Sequence, residues 1–358
     1  MSIISSAHHD IEIGLLADSS LQSVLEAYSN HRAIIVVDQN THDLCLEYVI
    51  TSFPQLEQAE IILLPVGEEN KVMEICMQVW NAFSEYEFGR KDLVINLGGG
   101  LVTDMGGFIA SVYKRGMDFI HIPTSLLGMV DASIGGKNGI DLNECKNQIG
   151  TFTAPINVYV DLSFLATLPE VEFYNGFAEM IKYAIIKDKE LFEVLKEFKD
   201  EKDFNREDII NRCIQIKVSI VDEDIHETGL RKILNFGHTF GHAIEGYFMR
   251  TTPVHHGHAV GIGICAEAFV SMNRELITKE EYKEIESVMR RVYPFIKFSD
   301  DDTKAIIQLM YNDKKNESGK IFSVLLDGIG KASYHNELSE NEIGEALLHI
   351  SMLSDALN

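Results

Sequence analysis

The sequence predicts an α/β fold, with a parallel sheet in the N-terminal half followed by a mostly α-helical C-terminal half. Short apolar runs alternate with helical patterns in the first part of the chain, and strands separated by helices imply a parallel sheet. From Pro169 onward, apolar side chains such as Phe177 and Ile181 recur every three or four residues, which is typical of helices. A chain of 358 residues suits two domains, which we place at 1–165 and 166–358.

Five apolar runs are predicted as strands of the N-terminal sheet, because each is short and bounded by polar or turn residues. They cover 33–38, 60–65, 92–97, 118–122 and 157–161. In the C-terminal half, 321–326 reads as a further strand. Ser339 and Glu342 form a capping box that predicts the start of a C-terminal helix.

Two glycine-rich segments follow these strands. Gly98-Gly99-Gly100 lies between a strand and a helix, where backbone amides can approach a phosphate, although the spacing differs from G-x-G-x-x-G and a tight packing turn explains it equally well. Further along, Lys137 and Lys146 lie among glycines and small polar residues. This second segment is either an anion cradle or an ordinary solvated loop.

Histidines concentrate in one stretch, with five of the thirteen between His238 and His258. The i,i+4 spacing of His238 and His242 puts both imidazoles on one helix face, as two ligands of one divalent ion would lie, although such pairs also occur on surfaces or in hydrogen-bonded cores. Thr239 replaces the general-base glutamate of a zinc protease, which excludes that class. Glu179 is a candidate third ligand, unless it forms a surface ion pair with the lysine three residues on.

Composition and charge restrict the partners. A net charge of −24 argues against nucleic acid or an anionic membrane surface as partner. No apolar run is long enough to span a membrane, and the first ten residues have no export signal, so we expect a cytoplasmic protein. The five cysteines form no Cys-x-x-Cys pair and are expected to be free thiols.

Eight motif-like segments follow one another between about residues 65 and 330. They are Gly-Gly-Gly-x-x-x-Asp at 98–104, Lys-Arg-Gly at 114–116, Val-Asp-Ala-Ser-x-Gly-Gly-Lys at 130–137, Lys-Asn-x-Ile-Gly at 146–150, Ala-Glu-Met-Ile-Lys at 178–182, Glu-Thr-Gly-Leu-Arg at 227–231, Asn-Phe-Gly-His-Thr-Phe-Gly-His-Ala at 235–243 and Asp-Lys-Lys at 313–315. Together, and in this order, they resemble the motifs of the 3-dehydroquinate synthase family within the sugar phosphate cyclases.

The resemblance implies a Rossmann-like nucleotide-binding domain and a helical metal-binding domain, with NAD and one Zn²⁺ or Co²⁺ as cofactors. The family converts 3-deoxy-D-arabino-heptulosonate 7-phosphate into 3-dehydroquinate and phosphate, a step of aromatic amino acid biosynthesis. In this lyase reaction an alcohol is oxidised transiently by NAD, phosphate is eliminated, the hydride returns, and an intramolecular aldol reaction closes the carbocycle. The substrate is therefore a small anionic phosphosugar acid.

The resemblance also assigns residues to roles. It implies Glu179, His238 and His256 as metal ligands, in place of the His238 and His242 pair that spacing alone suggests. Lys217 and Arg231, which taken alone read as snorkelling surface cations, resemble a clamp for the substrate carboxylate. The other residues implied to contact substrate or transfer protons are Asp131, Lys137, Asn147, Lys182, Asn235, His242, and Lys314 or Lys315.

For NAD, the resemblance points to loop and helix-start residues of the N-terminal half, with one acid at a strand end as a candidate ribose partner. They are Asp38, Glu68, Glu69, Asn70, Lys71, Gly100, Leu101, Val102, Thr103, Asp104, Thr124, Ser125, Lys137, Lys146, Phe164, Leu165, Ala166 and Thr167. Arg115 resembles a residue that reaches the neighbouring subunit's site, which implies a homodimer.

Three positions depart from the family pattern: Thr103 stands for a glycine, Asn138 for a threonine and His258 for a glutamate. We expect altered cofactor contacts from the first two and no ligand role for His258.

The alternatives to a 3-dehydroquinate synthase are another sugar phosphate cyclase, such as a 2-deoxy-scyllo-inosose or 2-epi-5-epi-valiolone synthase, a metal-dependent polyol dehydrogenase, or a binding protein without turnover. Lys217 with Arg231 favours a carboxylated substrate, because an uncarboxylated sugar phosphate leaves both cations unpaired.

Overall fold

The computed structural model describes residues 1–142, 145–199, 206–249, 252–311 and 319–355. Contacts divide the chain into two compact units, Met1–Gly176 with Asp203–His226, and Phe177–Lys202 with Glu227–Asn358. The sequence places the boundary near residue 165, whereas the contacts divide after Gly176. The sequence also gives no sign that a later segment returns to the first unit.

The strands, in chain order, are β1 (Ser2–Ser5), β2 (Asp10–Ile13), β3 (Ala33–Asp38), β4 (Glu60–Leu64), β5 (Leu93–Gly98), β6 (Phe119–Pro123), β7 (Lys137–Leu142), β8 (Cys145–Phe152), β9 (Asn157–Val160), β10 (Ile321–Leu326) and β11 (Ala332–Leu338). Seven of them form one sheet in the order β1-β2-β9-β6-β5-β3-β4. All pairs in this sheet are parallel except β1 with β2. The predicted parallel sheet is therefore confirmed, and each of the five strands predicted for it appears in it.

The helices are α1 (Leu21–Ala27), α2 (Gln39–Leu44), α3 (Leu46–Ser52), α4 (Met73–Glu85), α5 (Gly100–Val112), α6 (Glu170–Lys187), α7 (Lys189–Leu195), α8 (Glu207–Glu223), α9 (His238–Phe248), α10 (His256–Asn273), α11 (Lys279–Val292), α12 (Asp300–Tyr311) and α13 (Glu340–Asp355). The second unit is mostly helical, as predicted. The capping box at the start of α13 is confirmed, because the Ser339 amide donates to Glu342 and the Glu342 amide donates back to Ser339 Oγ. Within the described ranges, no helix is long and apolar enough to cross a membrane.

The segment with the two lysines is a β-hairpin, formed by antiparallel β7 and β8, and not the loop that its composition suggests. The hairpin packs against α5 where that helix carries two glycines. A Cβ on Gly107 would lie 2.0 Å from Asn138 Oδ1 of β7, and a Cβ on Gly106 would lie 2.0 Å from Asn96 Oδ1 of β5. These two glycines therefore let α5 lie between the sheet and the hairpin.

Two buried histidines, His9 and His121, lie beside or within the large sheet of the first unit. His121 on β6 pairs in register with Asn96 on β5, and their side chains are 3.3 Å apart. His9 precedes β2 and is 6% exposed, and neither of its ring nitrogens has a hydrogen-bond partner among the described residues. Burial lowers the pKa of His9 to about 4 and the pKa of His121 to about 3. Both side chains are therefore neutral in the folded protein.

These histidines should make the first unit less stable in acid. In the unfolded chain a histidine titrates near 6.5, so unfolding takes up protons as the pH falls from about 6.5 to about 4 for His9 and to about 3 for His121. The free energy of unfolding should therefore decrease over this window, by at most about 1.4 kcal/mol per pH unit for each histidine. Urea unfolding followed by the fluorescence of Trp80, the one tryptophan of the chain and part of α4, measures this slope. His121→Gln should flatten it, and an unchanged slope would contradict the assignment.

Helices α9 and α10 of the second unit cross at glycines. A Cβ on Gly263 of α10 would lie 1.9 Å from the Gly237 carbonyl oxygen and 2.8 Å from the Gly241 amide nitrogen. Because both neighbouring atoms belong to the backbone, they cannot turn aside as a side chain does. The glycine therefore sets the distance between the two helices that carry His238 and His256.

Gly263→Ala should destabilise the protein by about 3 kcal/mol, because the methyl group forces the two backbones apart. Gly246→Ala is the matched control, since Gly246 also lies in α9 and a Cβ there meets no atom within 4 Å. The control should be neutral or stabilising by about 0.5–1 kcal/mol through its helix propensity. Chemical denaturation of both variants measures the difference, and equal stabilities would show that the crossing tolerates a methyl group.

Candidate metal centre and substrate site

Three donor side chains of the second unit meet at one point. Glu179 on α6, His238 at the start of α9 and His256 at the start of α10 each direct one donor atom into the group, and these atoms lie within 4.8 Å of one another. Glu179 Oε1 is 3.4 Å from His238 Nε2 and 3.7 Å from His256 Nε2. These separations are longer than ordinary hydrogen bonds and suit an ion that fills the space between the atoms.

The Glu179 carboxylate is fully buried, and neither oxygen accepts a hydrogen bond of ordinary geometry from the described residues. A buried carboxylate is unfavourable unless it is paired or bound to a metal. Lys182, one turn along α6 and 2% exposed, contacts its Oε2 atom. The pair that the sequence also allowed as a surface ion pair is therefore buried, and Oε1 faces the two imidazoles.

The outer nitrogens of both imidazoles face acceptors. His238 Nδ1 lies 3.1 Å from the Phe236 carbonyl oxygen, and His256 Nδ1 lies 3.3 Å from Glu245 Oε2. An acceptor at Nδ1 keeps the hydrogen on that nitrogen and leaves the Nε2 lone pair for a metal, as in most histidine–metal sites. Both the types of donor atom and the tautomers of the two histidines therefore fit a divalent cation.

The protonation states of the group also suit a cation. Burial lowers the pKa of His238, which keeps the imidazole neutral. Burial alone would raise the pKa of Glu179, but the ammonium group of Lys182 holds it well below its usual range. A neutral imidazole and an ionised carboxylate are the forms that bind zinc or cobalt.

Two further histidines lie near this group but outside it. The His242 ring is 5.1 Å from the His238 ring and 5.9 Å from the His256 ring, centroid to centroid, and His242 is not one of the three grouped donors. The structure therefore groups Glu179, His238 and His256, as the resemblance implies, and not the pair of His238 and His242 that i,i+4 spacing suggests. His258 bonds through Nε2 to the Pro294 carbonyl and stacks on Tyr293, which agrees with its expected non-ligand role.

Two glutamates that the sequence analysis did not single out support the centre. Glu267 on α10 accepts hydrogen bonds from the Gly237 amide (2.7 Å) and the Thr239 amide (3.3 Å), and so holds the turn that begins α9. Glu245 on α9 faces His256. Both are buried carboxylates within apolar helices, the same signal that identified Glu179.

Lys217 and Asp131 form a buried pair in the first unit. Lys217 on α8 is 5% exposed, and its Nζ donates to the Asp131 carbonyl oxygen and to Oδ1, both at 2.5 Å. Asp131 lies in a π-helical turn, Gly128–Ala132, a conformation frequent at functional sites. The reading of Lys217 as a snorkelling surface cation is wrong.

Arg231 and Asn235 lie together in a 3₁₀ turn of the second unit, Leu230–Asn235. Arg231 is 2% exposed, so its reading as a surface cation is also wrong. Asn235 Nδ2 donates to Glu227 Oε1 at 2.6 Å and to the Lys232 carbonyl at 3.2 Å. Lys314 and Lys315, the remaining predicted substrate contacts, lie outside the described residues.

Predicted cofactor and substrate residues meet around Lys71 in the first unit. Lys71 is 3% exposed, and its Nζ donates to Asp104 Oδ2 at 2.7 Å and to Asn147 Oδ1 at 2.9 Å. Glu68 lies 3.6 Å from the same ammonium group and 3.8 Å from Lys146 Nζ. Asn147 has a left-handed backbone with φ 51°, and its amide donates to Asp141. Five predicted site residues therefore form one network.

Other predicted cofactor residues form hydrogen bonds in the turns that follow the strands. Asp38 caps α2 by accepting from the Thr41 amide at 2.8 Å. Thr103 is buried, and its hydroxyl donates to the Gly100 carbonyl at 3.0 Å. The Thr124 amide donates to the Gly98 carbonyl, and Ser125 Oγ accepts from the Gly128 amide. Gly100 to Asp104 form the start of α5, and 164–167 lie in a 3₁₀ turn.

Three more residues singled out from the sequence lie in the β7–β8 hairpin or in the turn that follows α5. Asn138 is buried and donates to the Thr153 carbonyl at 2.8 Å, so it holds the β7–β8 hairpin together. Lys137 is exposed at the start of that hairpin. Arg115 is exposed in a turn where it, Lys114 and Gly116 all have positive φ.

The whole chain resembles a solved sugar phosphate cyclase in fold. The structure of 2-epi-5-epi-valiolone synthase from Streptomyces hygroscopicus subsp. jinggangensis 5008, solved with NAD⁺ and Zn²⁺ bound, matches 99% of this chain and 99% of its own, with a TM-score of 0.86 and 29% identity. The fold is thus that of this class of enzymes.

Sequence comparison identifies the family. The family model of the 3-dehydroquinate synthase N-terminal domain matches residues 61–175, and that of the C-terminal domain matches residues 176–316. The 3-dehydroquinate synthase of Parabacteroides distasonis is 36% identical over 92% of this chain and 94% of its own length. That of Pyrococcus abyssi is 40% identical over 91% of this chain and 97% of its own. The chain belongs to the 3-dehydroquinate synthase family.

Proposed function

We propose that this protein is a 3-dehydroquinate synthase that converts 3-deoxy-D-arabino-heptulosonate 7-phosphate into 3-dehydroquinate and phosphate. The observation that carries the proposal is the buried group of Glu179, His238 and His256 in a chain of this family. Three protein ligands leave positions open for substrate oxygens, as a catalytic site requires. A structural metal site would instead be closed by a fourth protein ligand.

These three residues would hold one Zn²⁺ or Co²⁺, and when bound such an ion polarises a substrate oxygen. The metal would lie next to the buried ammonium of Lys182, which can orient a substrate hydroxyl. The His242 ring lies beside the imidazoles of His238 and His256 but is not one of the three grouped donors. We therefore assign His242 to proton transfer.

The charges of the site suit a substrate with a carboxylate and a phosphate. Lys217 in the first unit and Arg231 in the second are both buried cations. Arg231 offers a planar fork that matches a carboxylate, so we assign it to the clamp. Lys217 already holds Asp131, and we propose that this pair opens to share the substrate. Lys137, Asn147, Asn235 and Lys314 or Lys315 would complete the substrate contacts.

NAD is proposed to bind at the carboxyl ends of the parallel strands, where open α/β sheets bind nucleotides. The glycine turn after β5 and the start of α5 would receive the pyrophosphate. The network around Lys71 and the residues at 124–125 and 164–167 would surround the rest of the cofactor. The solved relative with NAD⁺ bound and the same fold supports this arrangement.

One assay tests the proposed reaction. The protein is incubated with the heptulosonate phosphate, NAD and Zn²⁺ or Co²⁺, while phosphate release and dehydroquinate are followed. A second candidate function, cyclisation of an uncarboxylated sugar phosphate, is favoured by the likeness to 2-epi-5-epi-valiolone synthase. Glucose 6-phosphate serves as an uncarboxylated comparison. Turnover with it, and none with the heptulosonate, would overturn the proposal.

We also propose a cytoplasmic homodimer. Arg115 is exposed in a turn of left-handed residues, a position from which it can reach a second subunit's site. Cys45, Cys76, Cys213 and Cys265 are buried and form no disulfide with one another, which suits a reducing compartment. Light scattering on the purified protein tests the dimer, and a mass of 40.3 kDa at assay concentration would refute it.

A further inference from the structure

We infer that Glu245 is a positioning residue of the metal centre, which orients His256 and balances the charge of the ion without binding it. The inference rests on the proposed function for the existence of a bound metal. Its basis is the contact between Glu245 Oε2 and His256 Nδ1 at 3.3 Å, on the side of the ring opposite Glu179. The carboxylate thus acts through the imidazole.

Glu245 is buried beside the imidazole that it supports. Its side chain is 9% exposed in the middle of α9, between apolar neighbours, where little water weakens its contact with His256. It lies seven residues after His238, so two helical turns bring both side chains to nearly the same face of α9. One helix therefore supplies a ligand and the support for the other ligand.

The two ligand histidines differ in their supports. His238 is held by a backbone carbonyl, that of Phe236, which carries no net charge. His256 is held by a carboxylate, which makes an imidazole a stronger donor to a metal. The charge matters here because the negative charge of Glu179 is already matched by Lys182. Glu245 places a further negative charge behind His256, and this charge helps to offset a divalent ion without occupying a coordination position.

Two carboxylates connect α9 and α10 in opposite directions. Glu267 of α10 holds the amides at the start of α9, and Glu245 of α9 holds the first residue of α10. The close crossing at Gly263 fixes the helices between these two contacts. The imidazoles of His238 and His256 are thus oriented before a metal arrives, which lowers the entropy lost on binding.

The test measures metal affinity and not turnover. Glu245→Gln keeps an acceptor for the Nδ1 hydrogen but removes the charge, and Glu245→Leu removes both. Zn²⁺ and Co²⁺ dissociation constants are measured on the metal-stripped full-length proteins by competition with a chelator. We expect about tenfold weaker binding for Glu245→Gln and about a hundredfold for Glu245→Leu, the range found for such supporting groups.

Glu286→Gln is the matched control. Glu286 is also a buried carboxylate of the second unit, 5% exposed, but it pairs with Lys283 and Arg290 on α11. The control should bind metal as the unaltered protein does. Metal affinity of Glu245→Gln and Glu245→Leu within twofold of the unaltered protein would overturn the inference. If Glu245→Leu does not fold, the Gln variant alone decides by the same limit.

A second measurement reads the orientation directly. Nitrogen NMR of the metal-free protein, with the His256 signals identified through His256→Gln, should show the hydrogen on Nδ1 in the unaltered protein and an altered tautomer in Glu245→Leu. A hydrogen on Nε2 in the unaltered protein would contradict the proposed role. An unaltered protein that binds no metal would instead refute the proposed function, so the two failures are distinguishable.

Discussion

His256→Ala should leave the protein without its metal. The unaltered chain is expected to hold one Zn²⁺ or Co²⁺, and removing one of three ligands leaves only Glu179 and His238, a carboxylate already in contact with Lys182 and one imidazole. Such a pair binds a divalent ion too weakly to retain it through purification. Metal content per chain after gel filtration should therefore fall from about one to near zero, and turnover should fall with it.

The neighbouring His258 provides the control. It lies two residues further along α10 but bonds to the Pro294 carbonyl and stacks on Tyr293. His258→Ala should keep its metal, which separates loss of a ligand from general disturbance of the helix start. One metal per chain in His256→Ala would refute the ligand assignment, and its loss from His258→Ala alone would transfer the role to His258.

Arg231→Lys should reduce kcat/KM by about a hundredfold or more, although the charge is kept. The ammonium of lysine is a point charge, and it cannot reproduce the two parallel hydrogen bonds of a guanidinium to a carboxylate. Losing a charged hydrogen bond in a site from which water is excluded costs about 3 kcal/mol. Because Arg231 is 2% exposed, bulk water does not replace the lost bond.

Arg274→Lys is the comparison for this prediction. Arg274 pairs with Glu342 at 2.7 Å in the same unit, and its side chain is 30% exposed. Its replacement should change kcat/KM by less than twofold. The test is kcat/KM of both variants with the heptulosonate phosphate. An unchanged kcat/KM in Arg231→Lys would show that Arg231 does not clamp the carboxylate.

Much of the first unit could be predicted because its parallel strands are short apolar runs. The run 321–326 matches β10 for the same reason. The β1–β2 and β7–β8 hairpins were missed, since their strands mix polar residues with few apolar ones. The second hairpin packs against α5 through the fit of Asn138 against Gly107, a contact between distant parts of the chain that no local pattern shows.

Local sequence patterns were also insufficient to predict the metal centre. Spacing within α9 finds His238 but favours His242, because local periodicity says nothing about α6 or α10. The actual partners, Glu179 and His256, come from different helices and meet only in the fold. The motifs of the resemblance supplied them. The orientation of His256 by Glu245 needed the structure, because it depends on how α9 and α10 pack.

The return of Asp203–His226 to the first unit has a consequence for synthesis of the chain. On the ribosome, the first unit cannot be completed when residue 176 has emerged, because α8 and its Lys217 are still to be made. Contacts such as that of Ser6 with Asp222 must wait for the intervening residues of the second unit. Domains made of one continuous segment fold in turn as they leave the ribosome. In this protein the first unit can be completed only when residue 226 has been made, after almost two thirds of the chain has been translated.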